Sequence, residues 1–430
     1  MDVNEQNDWV TAYLAYTAQL PSPEIFRLWS ALTAVGAAAE RRLWGTTIGK
    51  KLYPCLFTLL VGTPGTGKSE AIDPVQELFR KAKLPSGQQW HLSPDNMTKA
   101  SMVDCLVKAH RSVMHQGVPL VYHYLILIQS ELSALMASYD IEFLAVMTKL
   151  FDCLSNYDEA RRWAKNEQQA VIQNPGMSVL MGVQPGMAAT LLPEEAWQVG
   201  FTSRLILIYS NEEIKVNPFV ERPKQKALEG TLLSGLSRIG GQCGQIVFTT
   251  KAREEFETWL HADYAPKPGH PKLIHYSKRR GVHALKLCLI SAISRGSYHE
   301  VTEFDFYRAK SWMLDAEGEM AKIFPAMNKG TDQDLMESLW YFAMQEFTNN
   351  GNKPIPRSQL AEFLGGHVKV ERISQLLNHA EDSFRLRRDA GFEQLYFPVL
   401  PTDKKPGETY IPRKEKPQTS PEGDWGSPEP

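Results

Sequence analysis

Gly62-Thr63-Pro64-Gly65-Thr66-Gly67-Lys68-Ser69 satisfies the pattern G-x-x-x-x-G-K-[ST] at each fixed position. Glycines at those points let the backbone curl so that successive N–H groups converge on an anion. A helix beginning just after them adds its positive end. A lysine in such a cradle reaches the outer phosphates of a nucleotide, and a hydroxyl beside it suits Mg²⁺, which takes oxygen ligands. The flanks agree: apolar Cys55–Val61 reads as a strand before the loop and Ser69–Lys83 as a helix after it, with an expected kink at Pro74. The expected ligands are therefore ATP and Mg²⁺, with Gly62 through Ser69 and Glu70 around the phosphates.

Hydrolysis needs an acid beside the attacking water. The apolar run Leu125–Ile128 continues into Gln129-Ser130-Glu131. Glu131, at the carboxyl end of that strand, is the candidate general base and, with Ser69, a candidate Mg²⁺ ligand. Ser130 stands where such sites usually carry a second acid. The competing reading of Glu131 is a cap for a helix over Leu132–Ser138. Ser178–Val183 ends in Gln184-Pro185, so Gln184 is either a polar group sensing the outer phosphate or a turn residue before proline. Gly200-Phe201-Thr202-Ser203-Arg204 leads into the run Leu205–Tyr209. Arg204 fits an arginine finger, in cis or from a neighbouring subunit; the alternative is a structural salt bridge.

Basic residues occur in three further places. Lys278-Arg279-Arg280 with Lys286 suggests phosphate or DNA contact, or more plainly a solvated face. If the flanks of Lys165-Asn166 pair as strands, those two residues form the tip of a β-hairpin suited to gripping a nucleic-acid backbone; a surface helix is the other reading. Lys369 and Arg372 near the start of Val370–Ala380, with Arg385, Arg387 and Arg388 in the strand-like run after it, fit the recognition helix and wing of a DNA-binding module. Acidic neighbours dilute that field, and such modules also dock proteins.

Positioning these groups takes several kinds of element. Residues 8–20 and 23–42 read as helices, the second opened by Ser22-Pro23-Glu24. Five strand-like runs, Cys55–Val61, Trp90–Leu92, Leu120–Ile128, Ser178–Val183 and Leu205–Tyr209, alternate with helical stretches. That alternation predicts an α/β fold with a largely parallel sheet over residues 51–215, behind a helical segment at 1–50. Residues 216–330 read as a helical, lid-like subdomain, with helices at Lys251–Tyr264, Gly281–Ser294 and Thr302–Phe324. Residues 331–400 carry helices followed by two strands around Asp389–Gly391, the pattern of a winged helix-turn-helix. The last 30 residues hold 7 of the 27 prolines and few apolar side chains, so 401–430 is expected to be disordered.

Composition bounds the classes. The 430 residues carry 47 Lys and Arg against 49 Asp and Glu, so any phosphate-binding surface must be local. No apolar run approaches the ~20 residues that span a bilayer, and no basic-then-apolar leader opens the chain. Five scattered cysteines match neither a zinc site nor a disulfide framework, which predicts a cytoplasmic protein.

The ordered set of Pro21-Ser22-Pro23 through Arg41-Arg42-Leu43-Trp44, Leu52-Tyr53-Pro54, the phosphate loop, Leu92-Ser93-Pro94-Asp95, Ser130-Glu131-Leu132, Asn174-Pro175 and Gly200-Phe201-Thr202-Ser203-Arg204-Leu205-Ile206 resembles a family of phage and prophage P-loop ATPases described as helicase- or primase-like. The resemblance covers about residues 9–330. The family's Ser-Glu pair is matched at Ser130-Glu131, whereas Gln184 stands where the family carries a hydroxyl residue. What the resemblance implies is a RecA- or AAA+-like motor of phage DNA replication. It would act as a ring, expected as a hexamer, on single-stranded more than duplex DNA in the host cytoplasm. Many members fuse a primase domain at the N-terminus, for which a lead-in of about 50 residues leaves no room. Two other classes stay open: an ATP-controlled DNA-binding switch such as an initiator or helicase loader, and an NTPase of phage–host conflict acting on a protein.

Overall fold

Buried apolar strands and amphipathic helices organise the first part of the chain around a five-stranded sheet. The computed structural model describes residues 8–399 except 96, 133–140, 164–165, 193–195, 198–199, 218, 220–224, 328–331, 366–367, 369, 384 and 390–393. The tail expected to be disordered, 401–430, lies outside these. The described residues divide into two compact units, one on each side of the Ser338–Leu339 boundary.

The first unit opens with α1 (Trp9–Thr17) and α2 (Glu24–Ala39). Asp8 caps α1 by accepting a hydrogen bond from the Thr11 N–H at 2.9 Å. Ser22 does not cap α2: Pro23 holds the cap position without a side-chain bond, and the Ser22 hydroxyl is buried. α2 is buried along most of its length because its small residues admit close neighbours. A Cβ at Gly36 would run into the Pro54 carbonyl oxygen. The helix stops at Ala39, short of the expected residue 42. Leu43–Thr47 (β1) and Lys50–Leu52 (β2) then pair antiparallel.

The central sheet contains β3 (Phe57–Val61), β4 (His110–His115), β5 (Val118–Gln129), β8 (Pro175–Val183) and β9 (Leu205–Tyr209), in the order β4-β5-β8-β3-β9. Only β4 runs antiparallel. β3, β8 and β9 are buried at every position, as strands covered on both faces must be. Trp90–Leu92 contributes less than the expected strand, a single parallel bridge from Leu92 to Ile126. β4 escapes a reading by apolar runs because it is a mostly polar edge strand. Helices α3 (Lys68–Lys81) and α4 (Lys99–Lys108) connect β3 to β4. After β5, α5 (Ile141–Phe151) leads to a hairpin of β6 (Asn156–Trp163) and β7 (Asn166–Gln173), and α6 (Pro185–Leu191) follows β8.

The helices beyond residue 216 belong to the same compact unit. They are α7 (Gln225–Gly241), α8 (Thr250–His261), α9 (Ile274–Ser277), α10 (Arg280–Ser294), α11 (Glu303–Met320) and α12 (Ile323–Met327). Long-range bonds tie them in: Trp9 Nε1 donates to the Leu232 carbonyl at 3.0 Å, and Arg308 pairs with Asp8 at 2.6 Å. Short strands β10 (Gly244–Gln245), β11 (Val247–Phe248) and β12 (Glu300–Val301) link them, β10 parallel to β1.

α13 (Asp332–Asn349) leads into the second unit, which contains β13 (Ile355–Pro356), α14 (Arg357–Gly365), α15 (Val370–Asp382), β14 (Leu386–Arg388) and β15 (Leu395–Pro398). Its three strands form an antiparallel sheet in the order β13-β15-β14. The buried side chains of α15, Ile373, Leu376, Leu377 and Ala380, recur at helical spacing and give the unit its own core. Among the described residues, no helix is long and apolar enough to cross a membrane.

Candidate phosphate-binding site

The loop Gly62–Ser69 joins β3 to α3 at the carboxyl end of the sheet. The Gly62 N–H donates to the Val183 carbonyl at 3.2 Å, and a Cβ on Gly62 would lie 2.8 Å from the Ser210 carbonyl oxygen. Gly65 and Gly67 take φ of 83° and 79°, the left-handed region that only glycine adopts without strain. Gly67 is needed twice over, since a Cβ there would also collide with the Pro21 carbonyl. Arg27 Nε donates to the Ser22 carbonyl at 3.2 Å and helps hold that segment against the loop. Thr66 Oγ1 donates to the Thr63 carbonyl at 2.9 Å, while Thr63, Pro64 and Gly65 are exposed at the crest.

α3 begins at Lys68 with Gly67 in the cap position and no side-chain cap. Its first-turn N–H groups and positive dipole end therefore face the loop. Ser69 is half-buried and Glu70 exposed beside it. The helix continues through Pro74 to Lys81. Lys68 is 6% exposed, and its Nζ donates to the carbonyls of Gly62 at 2.8 Å and Thr63 at 2.9 Å. Burial lowers the Lys68 pKa, opposed by the charges of Glu131 and then Glu70.

Strand register brings three tips together. Val61 is level with Val183 and with Tyr209, and Gln129 with Met181. Gly62, Gln184 and Ser130-Glu131 therefore leave neighbouring parallel strands at one edge, with β8 between the loop strand and the Glu131 strand. The approach is close: a Cβ on Gly182 would collide with the Ser130 carbonyl. Gln129 Nε2 donates to the Pro94 carbonyl at 2.7 Å and anchors the end of β5. Glu131 is half-buried just past it; of the helix expected over Leu132–Ser138, residues 133–138 lie outside the described residues. Gln184 is half-buried and takes the cap position of α6 without a side-chain capping bond.

Arg204 lies elsewhere. It precedes Leu205, which is level with Phe57, so it sits at the sheet edge opposite the loop. Its side chain is buried, with Nε 3.1 Å from Asp152 Oδ1, Nη2 on Asp152 Oδ2 and Nη1 2.6 Å from the Gly200 carbonyl. That placement removes a cis role toward this chain's own loop, because the thickness of the sheet edge to edge separates the two. Arg279 joins the same carboxylate at 3.4 Å. No motif marked Asp152, since its pairing with Arg204 is purely tertiary.

The reading of Lys278-Arg279-Arg280 and Lys286 as a solvated face holds for Lys278 alone, which is exposed. Arg280 is fully buried and bidentate on Glu317 at 2.7 and 2.6 Å. Lys286 is buried against Cys55. The flanks of Lys165-Asn166 do pair as strands, with Trp163 opposite Asn166. Lys165 lies outside the described residues, and Asn166 opens β7. In the second unit, Lys369 also lies outside the described residues. Arg372 is exposed on α15, Arg385 is half-buried, and Arg387 is exposed over the Phe397 ring. Arg388 is tied to Glu381 Oε1, with Nε at 3.1 Å and Nη2 at 2.5 Å, so part of its charge is neutralised.

Neither a protein-family model nor a curated protein matches this chain.

Proposed function

We propose that this chain is an ATP-hydrolysing replication protein of the phage type, with a P-loop NTPase core and a winged-helix second unit. It would work as a ring-forming translocase or helicase on DNA. One observation carries the reading. A glycine loop with Lys68 inside it sits at the start of α3, and two strands away Glu131 leaves the same sheet edge. Lys68 binds the outer phosphates of ATP once it exchanges the Gly62 and Thr63 carbonyls for phosphate oxygens. Glu131 takes the proton of the attacking water, and Gln184, on the strand between, orients that water.

Ser69 and Glu131 offer a hydroxyl and a carboxylate, a donor set that suits Mg²⁺. Among the described residues no group of three or more His, Cys, Asp or Glu residues could hold a metal, so the ion would depend on the nucleotide for further ligands. When bound, Mg²⁺ supplies charge neutralisation at the phosphates. Arg204 acts in trans: at the far sheet edge it faces the loop of a neighbouring copy in a head-to-tail ring. The β6–β7 hairpin and the second unit supply the DNA contacts.

The test is ATP hydrolysis by the full chain with and without single-stranded DNA, against Lys68→Ala. Strong stimulation by DNA that vanishes in Lys68→Ala supports the motor. Hydrolysis indifferent to DNA rejects it.

A further inference from the structure

Two cysteines meet a buried lysine at the sheet edge away from the phosphate loop. Cys55 stands two residues before β3 and is fully enclosed, whereas Cys153, two residues past α5, is partly exposed. Their sulfurs are 3.7 Å apart. Lys286, from α10, is 3% exposed and puts its Nζ 3.0 Å from the Cys55 Sγ and 3.0 Å from the Cys55 carbonyl oxygen. The same ammonium lies 3.5 Å from the centroid of the Phe151 ring.

A buried ammonium calls for an anion. Among the described residues Lys286 has no carboxylate in ion-pair reach, and its one side-chain hydrogen-bond acceptor is the Cys55 sulfur. Arg41 adds a second buried cation nearby, donating to the carbonyls of Leu154 at 2.9 Å and Pro175 at 2.7 Å. A thiol set among cations favours the thiolate, which is the nucleophile in cysteine chemistry. The hydrogen bond from Cys153 and then the Lys286 charge both hold the Cys55 thiol below its usual pKa, while Cys153 is held above its own.

We propose that Cys55 and Cys153 are a peroxide-reactive dithiol that closes to an intramolecular disulfide. The Cys55 thiolate attacks one oxygen of hydrogen peroxide; the O–O bond breaks, and the departing hydroxide takes a proton to become water. Cys55 is left as the sulfenic acid. The Cys153 sulfur then attacks that sulfur, the S–S bond forms, and the S–O bond breaks. The hydroxyl leaves with the Cys153 proton as a second water. The two thiols together lose two electrons, and peroxide gains them. Disulfide sulfurs sit ~2.05 Å apart, so closure needs a shift of less than two ångströms. Peroxide is the fitting oxidant because it is small, and Cys55 is enclosed while its partner Cys153 is partly exposed. Since Cys153 follows Asp152, the bridge ties the turn that holds Arg204 and Arg279 to the base of β3. The chemistry itself rests on no part of the nucleotide reading.

The experiment treats the reduced full-length chain with hydrogen peroxide, removes the peroxide, unfolds the chain in alkylating agent to cap every remaining thiol, and maps peptides without reduction. The expected result is a linked Cys55–Cys153 peptide with the loss of two hydrogens, while Cys105, Cys243 and Cys288 stay alkylatable. Lys286→Met should link severalfold more slowly, and Cys153→Ser should leave Cys55 as a sulfenic acid that dimedone traps when the chain is unfolded in its presence. An unlinked wild-type chain after peroxide overturns the proposal without recourse to any variant. So does linkage at an unchanged rate in a folded Lys286→Met.

Discussion

The guanidinium of Arg204 closes on both carboxylate oxygens of Asp152 at the sheet edge opposite the Gly62–Ser69 loop. Arg279 reaches the same carboxylate, so two guanidinium groups share one anion. Burial and then the Arg204 charge lower the Arg279 pKa. Two guanidinium groups against one carboxylate leave a net positive charge within this trio.

If Arg204 serves a neighbour, Arg204→Ala binds ATP normally but turns over at least about a hundredfold more slowly. Mixing Arg204→Ala with Lys68→Ala should then restore part of the hydrolysis. Some interfaces would combine an intact loop from one subunit with an intact arginine from the next. A mixture as inactive as its components would leave Arg204 as a structural partner of Asp152 only.

Glu131→Gln keeps the shape of the side chain and removes its basicity. Affinity for metal-free ATP, measured by calorimetry, should stay within about a factor of three, while Mg²⁺-dependent hydrolysis falls by roughly 10²–10⁴. Retained turnover would assign the base elsewhere.

Gly65 and Gly67 share a left-handed backbone but differ in surroundings, since Gly65 has open space and Gly67 meets Pro21. Gly65→Ala should cost about 1–2 kcal/mol from backbone strain alone. Gly67→Ala adds overpacking and should cost about 2–5 kcal/mol. Urea unfolding of the two variants measures the difference, and equal losses would contradict the packing against Pro21.

Burial depresses both His270 and His283, each to about 3. His283 is enclosed, with Nε2 3.0 Å from the Ser203 carbonyl. The folded value lies below the unfolded value of 6.5, so the unfolded chain binds more protons between them. Their stabilisation is complete above that unfolded value and is lost as pH falls toward 3. From pH 7 to pH 5 each histidine should remove about 2 kcal/mol. Denaturant unfolding across that range should lose about half of this slope in His283→Gln. A stability that does not change with pH there would refute the neutral, buried assignment.

Several features were legible in the residue order because they depend on neighbours in the chain. The glycines at 62, 65 and 67 specify a backbone curl locally, and apolar runs mark β3, β8 and β9, which are buried on both faces. The strand propensity around Lys165-Asn166 could not by itself separate hairpin from helix, and pairing along β6–β7 decided it. β4 was not legible, because an edge strand paired to β5 needs no apolar pattern.

By itself, the sequence determined the loop, the helix that follows it and the polar residues that end β5 and β8. Only the tertiary structure decided which of these share an edge, because register between strands far apart in the chain comes from packing rather than local preference. It brought Glu131 and Gln184 to the loop and sent Arg204 to the opposite edge. The same packing turned Arg280 and Lys286 from apparent surface charges into buried ones, since a cation leaves water only where a distant residue supplies its partner.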